Sequence, residues 1–193
     1  MTGPDGEQAE APIRTARERE VFGNRFVTVY DDDVLLPGDL PGRYLRIVQS
    51  GGRPGVAMLA CVHGRYALVQ TYRYAIGSWE WGIPRGFAHG DDPLESARAE
   101  LFEELGGFPA DIALLGMVTP NSGLLADRVH VFHARYDQPI ADPVDVAEVA
   151  DVRWVDLRTL LAEIAAGEIV DAFTLSAMTL AVARGVLALP DAS

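Results

Sequence analysis

Short runs in which apolar residues alternate with polar ones dominate the chain, and the period changes to a helical one in three places. Residues 25–30 (RFVTVY) and 43–48 (RYLRIV) have strand composition, and the turn-rich stretch LPGDLPG at 36–42 separates them. Residues 56–62 and 66–72 flank His63-Gly64-Arg65 and predict a hairpin. The stretch 79–86 leads into an acidic helix, and strands follow at 113–118, 129–135 and 151–155. Two helices close the chain. One spans 157–166, between an Asp156 N-cap and Gly167, and the other spans 172–187, entered through Asp171. Strands with a few interspersed helices, and no regular βαβ alternation, predict a mixed-sheet α+β or sandwich domain. No internal repeat is present. Residues 1–16 are polar and rich in small residues and are expected to be disordered. Residues 17–50 form a candidate β subdomain ahead of the main domain at 51–193.

The acidic helix is the most informative segment. In residues 86–107, GFAHGDDPLESARAELFEELGG, Asp92 suits an N-cap and Pro93 the first helical position. Glu95 is placed for a capping box, and Gly106-Gly107 supplies the stop. Leu94, Ala97, Leu101 and Leu105 recur at helical spacing and give a buried stripe. Glu100, Glu103 and Glu104 gather on another face. Like charges so spaced cost a helix roughly 0.2–0.5 kcal/mol per pair. A hard divalent cation, which prefers oxygen ligands, is the simplest partner for such a face.

Composition narrows the setting. A net charge of −12 argues against a nucleic-acid or anionic-membrane surface, since both are met by basic patches. An anionic substrate must then be met by a few local arginines together with metal. The single cysteine, Cys61, excludes an intramolecular disulfide and a thiolate zinc site. No run reaches the ~18 apolar residues of a membrane span, and the N-terminus carries no signal-peptide core. A reducing cytoplasm is the expected location.

Glu100, Leu101, Glu103, Glu104 and Gly106 match the second half of the Nudix box at its spacing, with Gly86 as its preceding glycine. Residues 86–107 thus resemble the signature of the Nudix hydrolases. The resemblance implies a Nudix fold, in which a mixed β-sheet packs between helices. It implies hydrolysis of a nucleoside diphosphate linked to another moiety. It places Mg²⁺ (or Mn²⁺) on Glu100 and Glu104, with Glu103 near or on the metal as a catalytic residue and the main-chain carbonyl of Arg85 completing the site. The pattern is departed from at Ala99, where the family has arginine, and at Asp91, where it has glutamate; the loop after Gly86 is one residue short. Arg98 points about 100° away from Ala99 around a helix.

A narrower resemblance runs through most of residues 20–185. VFGNRF (21–26), GVAM (55–58), QTYRYA (70–75), IPRG (83–86), the acidic helix and GEIVDA (167–172) follow in the order of the ADP-ribose pyrophosphatase branch. That branch cleaves ADP-ribose to AMP and ribose 5-phosphate, and its members pair through an N-terminal antiparallel sheet, which implies a homodimer through residues 17–50. The branch often carries glutamate where this chain has Gly82, and Glu80 is the nearest acid on the same strand face. The acidic loop before its last strand supplies a glutamate; in the loop DPVDVAEVAD (142–151), Glu148 is the first candidate for base or further metal ligand and Asp145 the second. Arg73 is a candidate phosphate ligand, because guanidinium presents a fork of donors; a surface ion pair is the alternative. Trp79 and Trp81 flank Glu80 and suit either stacking on a base or core packing. The loop 119–128 is a candidate substrate cover. A nucleotide-binding module without turnover is the second functional reading, motivated by Ala99 and Gly82.

Overall fold

The computed structural model describes residues 11–87, 90 and 92–190, which divide into two compact units. The smaller unit consists of the described residues up to Gly52 together with Asn121–Ala126. In it β1 (Arg14–Arg17) and β2 (Glu20–Gly23) lie in succession along one side of β3 (Val27–Leu36), and β4 (Leu40–Gln49) lies along the other, all antiparallel. The expected N-terminal antiparallel sheet is therefore present, with two differences. Arg14–Arg17 is a strand and not part of a disordered tail, because it finds partners at Asp33, Val34 and Leu35 and an ion pair between Arg14 and Asp39. Residues 1–10 of that expected tail lie outside the described residues. The stretch 36–42 turns only at residues 37–39, since Pro41 and Gly42 already pair with Leu35 and Val34; proline is tolerated there because β4 lies at the edge of its sheet.

The middle of the loop 119–128 belongs to this unit. Ile47 donates its N–H to Leu124 O at 2.8 Å, and Ala126 donates to Ile47 O at 2.9 Å. Asn121–Ala126 is thus held on β4.

The larger unit is a seven-stranded mixed sheet. Its continuous path is β11 (Val149–Asp156), β6 (Arg65–Arg73), β5 (Gly55–Val62), β10 (Val129–Arg135) and β9 (Asp111–Val118), with β10 parallel to β5 and the other pairs antiparallel. The β5–β6 hairpin turns at His63-Gly64, both with positive φ, as a tight two-residue hairpin requires. The two strands pair only beside the turn, at Cys61–Tyr66 and Val62–Arg65, and then separate. Into the gap come β7 (Ser78–Gly82), paired with β6, and β8 (Arg85–Phe87), paired with β5. The segment Gly82–Gly86 is a wedge in a split sheet.

Strand alternation builds two cores. Val56, Met58, Ala60, Ala67 and Val69 face α1 (Pro93–Leu105), while Ala57, Leu59, Leu68 and Val131 face α2 (Leu157–Ala166) and α3 (Ala172–Ala183). This is the α+β arrangement of a mixed sheet between helices. On α1 the buried stripe is Ala97, Leu101 and Leu105, with Leu94 partly buried. Asp92 accepts from Leu94 N at 2.8 Å; Glu95 is exposed, with Arg98 3.8 Å away.

The C-terminal end of α1 determines where the acidic loop goes. The last carbonyls of a helix lack intrahelical donors. Here Asp142 N donates to Leu105 O, and Val144 N and Asp145 N donate to Glu103 O, at 2.8–3.1 Å. Gly106, with φ +86°, lets the chain pass: a Cβ there would stand 1.9 Å from Asp142 O. Gly167 has a similar φ of +75° but open space around it. Gly167→Ala is therefore expected to cost only the roughly 1–2 kcal/mol of a left-handed alanine, and Gly106→Ala clearly more. Urea denaturation of the two variants decides this; equal losses would mean that the loop does not press on Gly106.

Candidate active site

One turn of α1 buries two carboxylates. Glu104 is 3% exposed and Glu100 9%. Glu104 Oε2 accepts the main-chain N–H of Arg85 at 2.9 Å. The Glu100 carboxyl lies against Gly86, where a Cβ would come within 2.0–2.3 Å of its atoms. The wedge segment therefore meets the acidic helix twice, through one amide and through one missing side chain. Glu103 is partly exposed, and its carbonyl anchors the acidic loop. Asp91, His89 and Ala88 lie outside the described residues.

The side chain of Arg85 runs the other way, toward α3. Its Nη1 is 2.6 Å from Asp171 Oδ1, its Nη2 is 3.5 Å from Glu80 Oε2, and the guanidinium sits 4.7 Å from the centre of the Phe173 ring. Glu80 also faces Arg73 Nε at 3.5 Å, so its carboxylate lies between two arginines. Gly82 has a steric reason: a Cβ there would stand 2.9 Å from Asp171 Oδ2. The position where the related branch often carries glutamate is thus approached by a carboxylate from α3. From the sequence alone Asp171 has only the role of a helix cap. The one available signal was Gly82 itself, a glycine in a strand, which marks close approach of another group.

Glu148, Arg73 and Trp79 share one cleft of about 340 Å³ with Thr71, Tyr72, Val146, Ala147 and Ala150. The structure separates the two tryptophans. Trp79 is 56% exposed and packs edge-on against Tyr72, whereas Trp81 packs on the α2–α3 core beneath the Arg153 guanidinium. Glu148 is exposed at the cleft. Asp145 is committed to the turn before it, its Oδ1 accepting from Ala147 N and Glu148 N at 3.0 and 3.2 Å.

Burial first, then the neighbouring Glu100 charge, push the Glu104 carboxyl up to about 8; the Arg85 amide opposes them, Glu148 adds a further push, and Arg73 partly offsets it. Such a pair suits a hard cation. Among the described residues no group of three or more His, Cys, Asp or Glu side chains forms a cage. Mg²⁺ needs none, since it commonly takes one or two carboxylates and keeps waters and substrate phosphates.

A carboxyl whose pKa is higher in the folded chain than its ordinary value of 4.5 holds an extra proton between about pH 4.5 and 8. Its contribution to stability is fully present below the lower value and is lost as pH rises through the upper one. The metal-free protein should thus melt at lower temperature at pH 8 than at pH 6, and Glu104→Gln should flatten that decline. Thermal melts across this range in chelator test it; parallel profiles for the two proteins would contradict it.

Comparison with known proteins agrees with this architecture. The family model of the NUDIX domain matches residues 52–173. A solved structure described as "Crystal structure of ADP compounds hydrolase" is similar with a TM-score of 0.78 and 19% identity, over 93% of this chain and 100% of that one. No curated protein gives a significant sequence match. At that identity the structural likeness speaks for the fold, while the family match covers most of the larger unit and includes both the wedge and the acidic helix. On that match the chain belongs to the NUDIX domain family.

Proposed function

We propose that the chain hydrolyses the diphosphate bond of a nucleoside diphosphate sugar, with ADP-ribose as the favoured substrate and AMP and ribose 5-phosphate as products. The observation that carries the reading is the buried Glu100–Glu104 pair on one turn of α1, held against the Arg85 amide and the bare Gly86. The description of the similar structure as an ADP compounds hydrolase supports an ADP-containing substrate.

In this reading Glu100, Glu104 and the Arg85 carbonyl would hold Mg²⁺ or Mn²⁺, with Glu103 at the rim of the site. The bound ion supplies charge stabilisation on phosphoryl oxygens and a lowered pKa for an attacking water. Glu148, exposed at the cleft, would serve as the proton acceptor for an attacking water. Arg73 orients a phosphate through its guanidinium fork. Trp79, exposed beside Tyr72, presents an aromatic face to the base. A second reading, binding without turnover, is favoured by one observation: Ala99 removes the family's arginine, and the adjacent Arg98 is turned to Glu95.

The smaller unit is proposed as the dimer contact. Val21, Phe22, Phe26, Leu40 and Leu45 are all exposed on its strands and the turn after β2, an apolar set that pairing with a second copy would cover. A cytoplasmic enzyme accords with the single cysteine.

Incubation with ADP-ribose and Mg²⁺ should release AMP. Glu104→Gln should abolish release, and Glu148→Gln should lower kcat about a hundredfold or more, as loss of a general base does. Metal-dependent binding without product over hours would establish the second reading instead. Light scattering at micromolar concentration should give twice the chain mass of 20.9 kDa; a monomer would remove the proposed dimer.

A further inference from the structure

The N-terminal end of α3 touches the wedge at Gly82, Ile83 and Arg85. Asp171 caps the helix, its Oδ2 accepting from Thr174 N at 2.9 Å and from Thr174 Oγ1 at 2.7 Å. Thr174 Oγ1 in turn accepts from Ile83 N at 3.0 Å. The other oxygen of Asp171 takes Arg85 Nη1 at 2.6 Å, and the carboxylate lies against Gly82. Phe173 lies beneath the same guanidinium. Both Asp171 and Thr174 are buried.

Gly82, Ile83 and Arg85 are thus held from the α3 face of the sheet. On the opposite face the same short segment presents the Arg85 amide to Glu104 and the open side of Gly86 to Glu100. An α-helix with no acid of its own facing α1 fixes the strand that fixes both glutamates. From this geometry we infer that Asp171 is a positioning residue for the Glu100–Glu104 pair: through its ion pair with Arg85 it sets the strand segment against which both carboxylates are held.

The inference rests on the proposed metal role of that pair, and it gives Asp171 a task beyond capping. Capping and positioning use different properties of the carboxylate. An asparagine caps a helix about as well as an aspartate, but it carries no charge for a buried guanidinium. Groups one shell out from a metal typically change its affinity 10–100-fold when replaced.

The test is Mn²⁺ binding to the substrate-free protein, measured by titration calorimetry beside thermal melts. Asp171→Asn should weaken Mn²⁺ binding about tenfold, with a smaller loss of thermal stability than Asp171→Ala, which removes the cap as well. Gly82→Ala, which crowds the same carboxylate, should weaken Mn²⁺ binding in the same direction. In an Arg85→Gln background the effect of Asp171→Asn should shrink toward none, since the two act as one unit. Asp156→Asn, at the cap of α2, serves as the control and should leave Mn²⁺ affinity unchanged. Unaltered Mn²⁺ affinity in both Asp171→Asn and Gly82→Ala would overturn the inference and leave the metal reading standing. A wild-type protein that binds no Mn²⁺ would overturn both.

Discussion

Two carboxylates four residues apart, both taken out of water on one turn of α1, impose a constraint that the surrounding architecture must meet. Each buried charge is expensive without a counter-charge or donors. The larger unit answers locally with the Arg85 amide on Glu104 and with Gly86, whose lack of a side chain leaves room for Glu100. These two contacts come from adjacent residues of one strand. The strand is available only because β5 and β6 part company after their turn and admit β7 and β8 between them. The split in the sheet is therefore the structural cost of bringing backbone to the acidic helix.

The same economy governs the cleft. The acidic loop is not placed by its own side chains but by the unsatisfied carbonyls at the end of α1, reached past Gly106. Once Asp145 closes the turn, Glu148 stands at the cleft with Arg73 and Trp79. The loop is thus held on the helix through main-chain bonds, and the wedge through the Glu104 carboxylate on the Arg85 amide.

What local sequence reveals and what it hides follow from the range of the interactions. The cap at Asp92, the stop at Gly106, the helix at 157–166 and the spacing of the three glutamates depend on neighbours within one or two turns, and all are plain in the sequence. The apolar runs within 55–73 likewise mark buried strands, which the structure covers on both faces. The pairing of Arg14–Arg17 with β3, the docking of Asn121–Ala126 on β4 and the approach of Asp171 to Gly82 join residues far apart in the chain. No periodicity encodes them. Gly82 and Ala99 both looked like defects of the pattern. One has a reason, since Asp171 occupies the space beside it; for Ala99 the structure offers no replacement.

The central claim is that the buried pair is kept for a cation. At pH 7 a Glu104 carboxyl pushed up to about 8 carries a proton in the cation-free protein. A metal ligand must be deprotonated. Titration of Mn²⁺ into the protein at pH 7, in buffers of different ionisation enthalpy, counts the protons expelled. The account predicts release of about one proton per cation bound, disappearing in Glu104→Gln. Cation binding with no proton release, or with the same release from Glu104→Gln, would contradict it.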